Sequence, residues 1–271
     1  MIFDTHSHVN FKAFNDDRDK IIKECLDNNI WHINVGSNLT TSKVAVDLAQ
    51  KYEKGVYASV GLHPIHLDTT LVKVKKDEHE EENLSQEAFF DYEGYKKLAQ
   101  NKNVVAIGET GLDYYWKPKT TKKLVDFKEN QRELLEKHVQ LANELNLPLI
   151  FHCRMAHDDL IEFLTNRKVK GVVHCFTGTI GQAKKYIDMG LYLGFNGIIF
   201  KLALDEIIKE IPIERILLET DCPYLSPPGY KERNDPMGVK LVVKKVTEIK
   251  NMDIEELVSK TFQNALNLFK I

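Results

Sequence analysis

The sequence predicts an α/β fold, specifically a TIM (β/α)8 barrel with its active site at the C-terminal ends of the strands. Short apolar runs alternate with longer amphipathic stretches along all 271 residues, and eight such runs are present. Strand–helix alternation is typical of right-handed crossovers and a parallel sheet, and roughly 250 residues is the usual size of such a barrel. An open doubly wound sheet is the alternative, but it needs a glycine-rich phosphate loop, and the sequence contains no G-x-G-x-x-G or Walker pattern.

The elements are predicted in order along the chain. The strands lie in MIFDTHSH, WHINVGS, VYASVGLHP, VVAIGETG, LPLIFHC, GVVHCFTG, LYLGFNG and RILLETDCP. The helical period is clearest in SKVAVDLAQKYEK and FKENQRELLEKHVQLANELN, and two final helices lie in GVKLVVKKVTEIKN and IEELVSKTFQNALNLF. No composition break or Gly/Ser linker divides the chain, so we expect one domain over residues 1–271.

An acidic insertion follows the third predicted strand, in LDTTLVKVKKDEHEEENLSQEAFFDYEG. Its charge run predicts a solvated loop leading into a helix, with partner binding as the alternative. Because it lies on the C-terminal side of its strand, it is also a candidate border of the pocket.

Composition and charge limit the class of protein. The net charge is −3, from 37 basic and 40 acidic side chains, which argues against a protein that coats long duplexes by bulk electrostatics. A pocket for a few nucleotides remains compatible with it. The sequence has no long apolar run and no secretion signal, so we expect no membrane association. Four cysteines without a C-x-x-C pair favour a reducing, cytoplasmic location.

Polar side chains end six of the predicted strands. In a TIM barrel the functional side chains cluster at these C-terminal ends. Alternation places each polar residue on the same face as a preceding apolar one, as with Ile150 and His152, so they are expected to line the barrel mouth. The residues are His6, His8, His63, Glu109, His152, His174 and Asp221.

Imidazoles and carboxylates are the ligands of Zn²⁺, Mn²⁺, Co²⁺ and Fe²⁺. A single histidine at a strand end is usually a structural group, but this many at one end of the barrel predict metal binding. Even six of these seven residues as ligands are too many for one tetrahedral ion and suit a pair of divalent ions. The remaining histidines are predicted to be structural, because they lie at the wrong end of a strand or on loops and helices: His32, His66, His79, His138 and His157.

Three cysteines directly follow these polar residues: Cys153, Cys175 and Cys222. They are possible thiolate ligands or nucleophiles by position in the sequence. Alternation instead turns each of them towards the helical layer, where a cysteine behaves as a small buried hydrophobe.

The motifs FDTHSH, GLHP, GETGLDYY, HCR, HCFTG and ETDCPYL, in this order, resemble the TatD family of metal-dependent DNases, which belongs to the amidohydrolase-type barrels. The resemblance extends from about residue 2 to the C-terminus. It implies two divalent metal ions, Mg²⁺ or Mn²⁺ for nuclease activity with Zn²⁺ also plausible, and Glu109 as the carboxylate that bridges them. The implied ligands are His6, His8, Glu109, His152, His174 and Asp221.

Roles for individual residues follow from this site as hypotheses. Two ions activate a water as nucleophile, with Asp221 as metal ligand and general base. His63 is expected to contact the phosphate or protonate the leaving oxygen. Arg154 is placed to hold a phosphate, or alternatively to pair with a helix carboxylate.

The stretch LDYYWKPKTTKK closely follows Glu109. Its aromatic residues Tyr114, Tyr115 and Trp116 are candidates for stacking on bases, with loop packing as the alternative. Asp113 is expected to orient a ligand or fix the loop.

The resemblance implies 3′→5′ exonuclease action on single-stranded DNA ends, and we expect a monomer. Two other functions remain open. One is a different hydrolase on the same metal pair, such as a D-aminoacyl-tRNA deacylase, amidase or lactonase; the other is a non-catalytic binding protein. Two features depart from the family pattern: Asp235 in RNDP is one methylene shorter than the usual Glu or Gln, and the acidic insertion is longer than usual.

Overall fold

A computed structural model describes residues 1–67, 71–72, 77–80, 87 and 89–271 of the chain. The described residues form eight parallel strands that pair in sequence order, and a parallel bridge between Ser7 and Cys222 nearly closes the barrel. This is the TIM barrel that the sequence predicts. The strands are β1 Ile2–Ser7, β2 Ile30–Val35, β3 Val56–Val60, β4 Val104–Asp113, β5 Leu149–Arg154, β6 Gly171–Val173, β7 Tyr192–Phe195 and β8 Ile216–Leu218.

Helices connect the strands and cover the outside of the barrel. Within the described residues they are α1 Arg18–Asp27, α2 Leu39–Ala49, α3 Tyr92–Ala99, α4 Thr121–Leu145, α5 His157–Leu164, α6 Ile180–Asp188, α7 Asp205–Glu210, α8 Val239–Lys250 and α9 Ile254–Phe269. Asn38 and Thr179 start α2 and α6 with capping boxes, which satisfy the first free backbone N–H groups. None of these described helices has the length and apolar content needed to span a membrane.

The N-terminal end of the barrel is filled with apolar side chains. Phe3 at the start of β1 packs edge-on against Trp31 of β2, with ring centroids 6.0 Å apart, and also meets Phe262 and Phe269 of α9. The same cluster includes Ile150. The helix α9 therefore closes this end of the barrel with hydrophobic contacts.

The sequence placed Glu109 at the end of its strand, but β4 continues for four more residues to Asp113. The register between β4 and β5 shifts between Ile107 and Thr110, which is a local irregularity of the bulge type. Gly111, with a φ of 148°, lies so close to β5 that a Cβ atom there would be 2.0 Å from the carbonyl oxygen of His152. The extension therefore brings Asp113 beside β5, which the simple strand prediction did not provide.

Candidate metal centre

The six residues predicted as metal ligands lie together at the C-terminal mouth of the barrel. They come from five places: the end of β1, the middle of β4, β5, the residue after β6 and the loop after β8. Five of them form two groups, which we name by their residues, and Glu109 lies between the groups. The first half-site consists of His6, His8 and Asp221, and the second half-site consists of His152 and His174.

The first half-site is built on neighbouring backbone. The Nε2 atoms of His6 and His8 are 3.1 Å apart, so the two imidazoles do converge on one point. Asp221 Oδ1 lies 3.4 Å from His8 Nε2 and 3.6 Å from His6 Nε2. His8 Nδ1 donates to the carbonyl oxygen of Val35 at 2.8 Å, which leaves Nε2 of the neutral ring free to bind a metal.

The second half-site is supported by the carboxylate of Asp113. His152 Nδ1 lies 3.3 Å from His174 Nε2, while His152 Nε2 faces Asp113 Oδ2 at 3.0 Å. Burial lowers the pKa of His152, but hydrogen bonds to Asp113 and Glu109 outweigh it and raise this pKa to about 9. The backbone N–H of Tyr115 donates to the other oxygen of Asp113. Asp113 thus orients the His152 ring, as predicted for it.

Glu109 lies between the two half-sites and gives one oxygen to each. Its Oε2 is 3.4 Å from His6 Nε2, and its Oε1 is 2.8 Å from His152 Nδ1 and 2.7 Å from His174 Nε2. Burial raises the pKa of Glu109, yet the imidazoles of His174, His63 and His6 hold it well below the usual range. The side chain is therefore an ionised carboxylate with the geometry of a bridge.

The donor set fits divalent metal ions. Each half-site brings imidazole nitrogens and carboxylate oxygens together, and the ligand atoms within each cluster lie within 4.8 Å of one another. These are the atoms that Zn²⁺, Mn²⁺ and similar ions bind. The carboxylates of Glu109 and Asp221 are both buried among these rings, and buried carboxylates need nearby positive charge, which a divalent cation would supply.

His63 lies at the edge of the centre, with Nε2 3.4 Å from Glu109 Oε1. The backbone N–H of Ile65 donates to His63 Nδ1, so the proton of the neutral ring is on Nε2. Burial, with the facing charge of His152, lowers the pKa of His63 to about 4. His63 therefore presents an N–H donor to the mouth rather than a lone pair.

Arg154 and Tyr115 form a stacked pair on the rim. The guanidinium carbon of Arg154 lies 3.6 Å from the centre of the Tyr115 ring, and Trp116 meets Tyr115 edge-on. Tyr115 is 48% exposed and Trp116 is 37% exposed, so both have surface available to a substrate. The structure shows this cation–π contact for Arg154, and no ion pair with a helix carboxylate among the described residues.

The stacking role predicted for Tyr114 is wrong, because its ring is 5% exposed and offers no face to a base. The ring packs against Phe127 of α4, and its hydroxyl donates to Asp159 at 2.9 Å. Lys128 lies over the ring, 4.6 Å from its centre. Adjacent tyrosines in an extended segment point to opposite sides, so only Tyr115 faces out.

The cysteine prediction holds for Cys153 and Cys222, which are buried, and fails for Cys175. β6 ends at Val173 and Cys175 has a φ of 44°, so strand alternation no longer applies there. Its Sγ lies 3.6 Å from Asn196 Oδ1, at the mouth. Burial and the nearby carboxylates of Asp221 and Glu219 raise the pKa of Cys175 well above its usual value, which keeps the thiol protonated and unsuited to attack.

The acidic insertion is more than a solvated loop, although residues 68–70, 73–76, 81–86 and 88 of it lie outside the described residues. The carboxylate of Glu80 is buried against Ser37 and His66, with 2.8 Å between His66 Nε2 and Glu80 Oε1. Lys12 and Ala13 donate backbone hydrogen bonds to this turn. Residues 77–80 therefore dock on the loops after β1, β2 and β3.

Asp235 has a structural contact in place of the longer side chain of the family pattern. It accepts hydrogen bonds from the Tyr230 hydroxyl at 2.7 Å and from the Met237 backbone at 3.0 Å. Lys231 pairs with its other oxygen. The shorter carboxylate caps the short 3₁₀ helix Pro236–Gly238, away from the half-sites.

Glu219 is the residue that the sequence did not single out, although alternation already turned it inwards with Asp221. It is fully buried, and its Oε1 accepts hydrogen bonds from the Cys175 backbone and the Asn196 side chain. It forms a further cluster of ligand-type atoms with His6 and His174. The sequence signal that would have identified Glu219 is a carboxylate two residues before a predicted ligand, Asp221, on the same strand face.

Comparisons with known proteins agree with this architecture. A family model described as TatD related DNase matches residues 3–270. The chain is 36% identical over 280 residues to the metal-dependent hydrolase YabD of Bacillus subtilis, covering 100% of each protein. It is 30% identical over 281 residues to a Pantoea ananatis protein named 3′-5′ ssDNA/RNA exonuclease TatD, covering 99% of each.

Solved structures show the same fold. The TatD homolog YjjV of Escherichia coli superposes with a TM-score of 0.83 at 25% identity, covering 100% of this chain and 98% of that one. An organophosphorus hydrolase of Deinococcus radiodurans has a TM-score of 0.60 at 11% identity, covering 99% and 92%. The second likeness is one of fold alone.

Proposed function

This chain belongs to the TatD family of metal-dependent hydrolases, and we propose that it removes nucleotides from the 3′ ends of single-stranded DNA. The observation that carries the proposal is Glu109, whose two oxygens face two separate imidazole groups at one mouth. That arrangement suits a two-ion clamp on a phosphodiester. A relative at 30% identity carries the name of a single-strand exonuclease, which supports the choice of substrate.

In this proposal His6, His8 and Asp221 hold one divalent ion, and His152 and His174 hold the other, with Glu109 shared. When bound, the ions supply Lewis-acid charge that neutralises the phosphate and lowers the pKa of a water molecule. Mg²⁺ and Mn²⁺ are the candidates for nuclease activity, and Zn²⁺ suits the imidazole ligands.

Asp221 accepts the proton of the attacking water in this scheme. Its side chain is 15% exposed, against 6% for Glu109, so it is the more accessible of the two carboxylates. Its pKa lies below the usual value, because hydrogen bonding to His8 and the charges of His6 and His174 outweigh burial, which keeps it ionised as a base must be.

His63 and Arg154 serve the substrate. The His63 Nε2–H group, held by the Ile65 backbone, donates to a phosphate oxygen or to the leaving oxygen. The Arg154 guanidinium, stacked on Tyr115, offers its N–H groups to the phosphate of the next nucleotide. Tyr115 and Trp116 give that nucleotide an aromatic surface on the same rim.

The shape of the mouth favours a chain end over a continuous strand. The turn at residues 77–80 is fixed on one side of the mouth, where Asp77 accepts a hydrogen bond from the Tyr224 hydroxyl at 2.7 Å. Tyr224 in turn lies beside His8, with ring centroids 6.3 Å apart. The Arg154–Tyr115 pair lies beside β4 and β5, on the other side of the mouth from this turn. We therefore expect a strand that enters beside this pair to be blocked by the turn once it has passed the metal centre.

The test is incubation of the purified protein and Mg²⁺ or Mn²⁺ with single-stranded DNA labelled at the 5′ end. We expect a ladder of progressively shorter strands that keep the 5′ label, blocked by a 3′-terminal phosphorothioate and not by a 5′-terminal one. Glu109→Gln should abolish release, and the exposed Glu248→Gln should not. Absence of release with metal bound would overturn the nuclease proposal. Deacylation of a D-aminoacyl-tRNA or opening of a lactone by the same preparation would assign the centre to another hydrolase instead.

A further inference from the structure

Three buried polar atoms meet on the inner side of the metal centre. Within the part of the chain that the structure describes, His6 Nδ1, His174 Nδ1 and Glu219 Oε2 have no hydrogen-bond partner. The rings of His6 and His174 stack at 3.9 Å with an interplanar angle of 14°. Since the Nε2 atoms of both rings face Glu109, their Nδ1 atoms face away from it, on the side of Glu219.

Glu219 is held firmly in this position. Its Oε1 accepts hydrogen bonds from Cys175 N at 2.7 Å and Asn196 Nδ2 at 2.9 Å, and it lies 3.7 Å from His174 Nδ1. Its Oε2 fills the space over Gly194, where a Cβ atom would be 2.3 Å away. A buried carboxylate oxygen without a donor is costly, so the second oxygen has a use beyond packing.

We infer that Glu219 is a positioning residue that serves both half-sites, by fixing the Nδ1–H tautomers of His6 and His174 through one shared buried water. The inference rests on the metal ligands proposed above. A water is the species that fits, because it accepts from two N–H groups and donates to Glu219 Oε2. A third cation does not fit, since rings that bind metal through Nε2 carry their protons on Nδ1.

This role differs from that of Asp113, the other carboxylate behind the ligands. Asp113 contacts His152 and therefore acts on the second half-site alone. Glu219 reaches a ligand of each half-site, His6 of the first and His174 of the second. Loss of Glu219 should weaken both ions together, whereas loss of Asp113 should weaken one.

The experiment compares Mn²⁺ binding by calorimetry and by metal content in the full-length protein, Glu219→Gln and Asp113→Asn. Glutamine keeps the size of Glu219 but replaces one oxygen with a donor facing the two N–H groups. We expect both Mn²⁺ affinities of Glu219→Gln to fall about 10- to 100-fold, and only one to fall in Asp113→Asn.

A second measurement needs no variant and so does not depend on folding. Nitrogen-15 NMR of the histidine rings in the Zn²⁺-loaded wild-type protein should show protonated Nδ1 in both His6 and His174. Unchanged Mn²⁺ affinities in a folded Glu219→Gln protein, or protonated Nε2 in either ring, would overturn the inference. A wild-type protein that fails to bind two ions would instead overturn the proposed ligand set.

Discussion

The two half-sites meet at the same carboxylate but are supported in different ways. In the first, His8 is oriented by a backbone carbonyl of β2, that of Val35. In the second, His152 is oriented by the side chain of Asp113. A carbonyl is neutral and fixed by the sheet, whereas a carboxylate adds charge and raises the basicity of its ring. The ring orientation of His8 in the first half-site is therefore fixed by the backbone of the sheet. The orientation and basicity of His152 in the second half-site depend on one side chain, which a single substitution can change.

The largest effect should come from Glu109→Gln, which removes the charge that the half-sites share. Because the amide replaces one of the two oxygens with a donor, at least one ion loses its ligand. We expect a loss of nuclease activity of more than about a hundredfold, measured as mononucleotide release. Circular dichroism should show an unchanged barrel, because the variant keeps the side-chain volume. Retained turnover would contradict the bridging role.

Next in size is the removal of one ligand from either half-site. His8→Ala should release the ion of the first half-site and leave the second, since His152 Nδ1 and His174 Nε2 make no contact with His8. His152→Ala should do the reverse. Metal content per chain measures both. Loss of both ions from either variant would show that the half-sites are not separable.

A smaller effect is expected from Asp113→Asn, which keeps the hydrogen-bonding shape but removes the charge behind His152. The affinity of the second half-site for Mn²⁺ should fall about 10- to 100-fold. Calorimetry provides the measurement, and the exposed Asp126→Asn is the matched control. An equal loss of Mn²⁺ affinity in both variants would show that the effect comes from net charge and not from the orientation of His152.

The second half-site should also depend on pH. With a pKa of about 9, His152 is protonated near neutrality in the metal-free protein, so an incoming ion must displace that proton. Its Mn²⁺ affinity should therefore rise with pH, by about tenfold per unit per displaced proton, and the part of the rise that is due to His152 should end above about pH 9. In Asp113→Asn this part of the rise should end at lower pH. An end point that stays in place would contradict the assigned cause.

The smallest effect concerns the rim. Tyr115→Ala should remove the ring under Arg154 and one stacking surface, which costs about 1 kcal/mol or roughly fivefold in KM with little change in kcat. Tyr115→Phe retains the ring and should behave like the wild-type protein. The comparison uses a single-stranded oligonucleotide under steady-state conditions. An equal loss in both variants would assign the effect to the hydroxyl.

The hydrophobic periodicities of the strands and helices predicted most of the fold. The final helix was predicted over the residues that form α9, because its apolar spacing and the Asp253 cap are local features. The extension of β4 to Asp113 was missed, since a register shift is a property of two strands and not of one. The burial of Tyr114 and the docking of Glu80 were missed for the same kind of reason, because each depends on a distant partner.

The sequence by itself determined which side chains reach the mouth, because alternation within a strand fixes their direction. That is why His6 and His152, which lie within β1 and β5, were found from the sequence alone. Only the tertiary structure decided how these atoms are shared: the division of Glu109 between two groups, and the placement of Asp113 and Glu219 behind the rings. These relations depend on register and on the close approach of strands, which are set by packing between segments far apart in the chain.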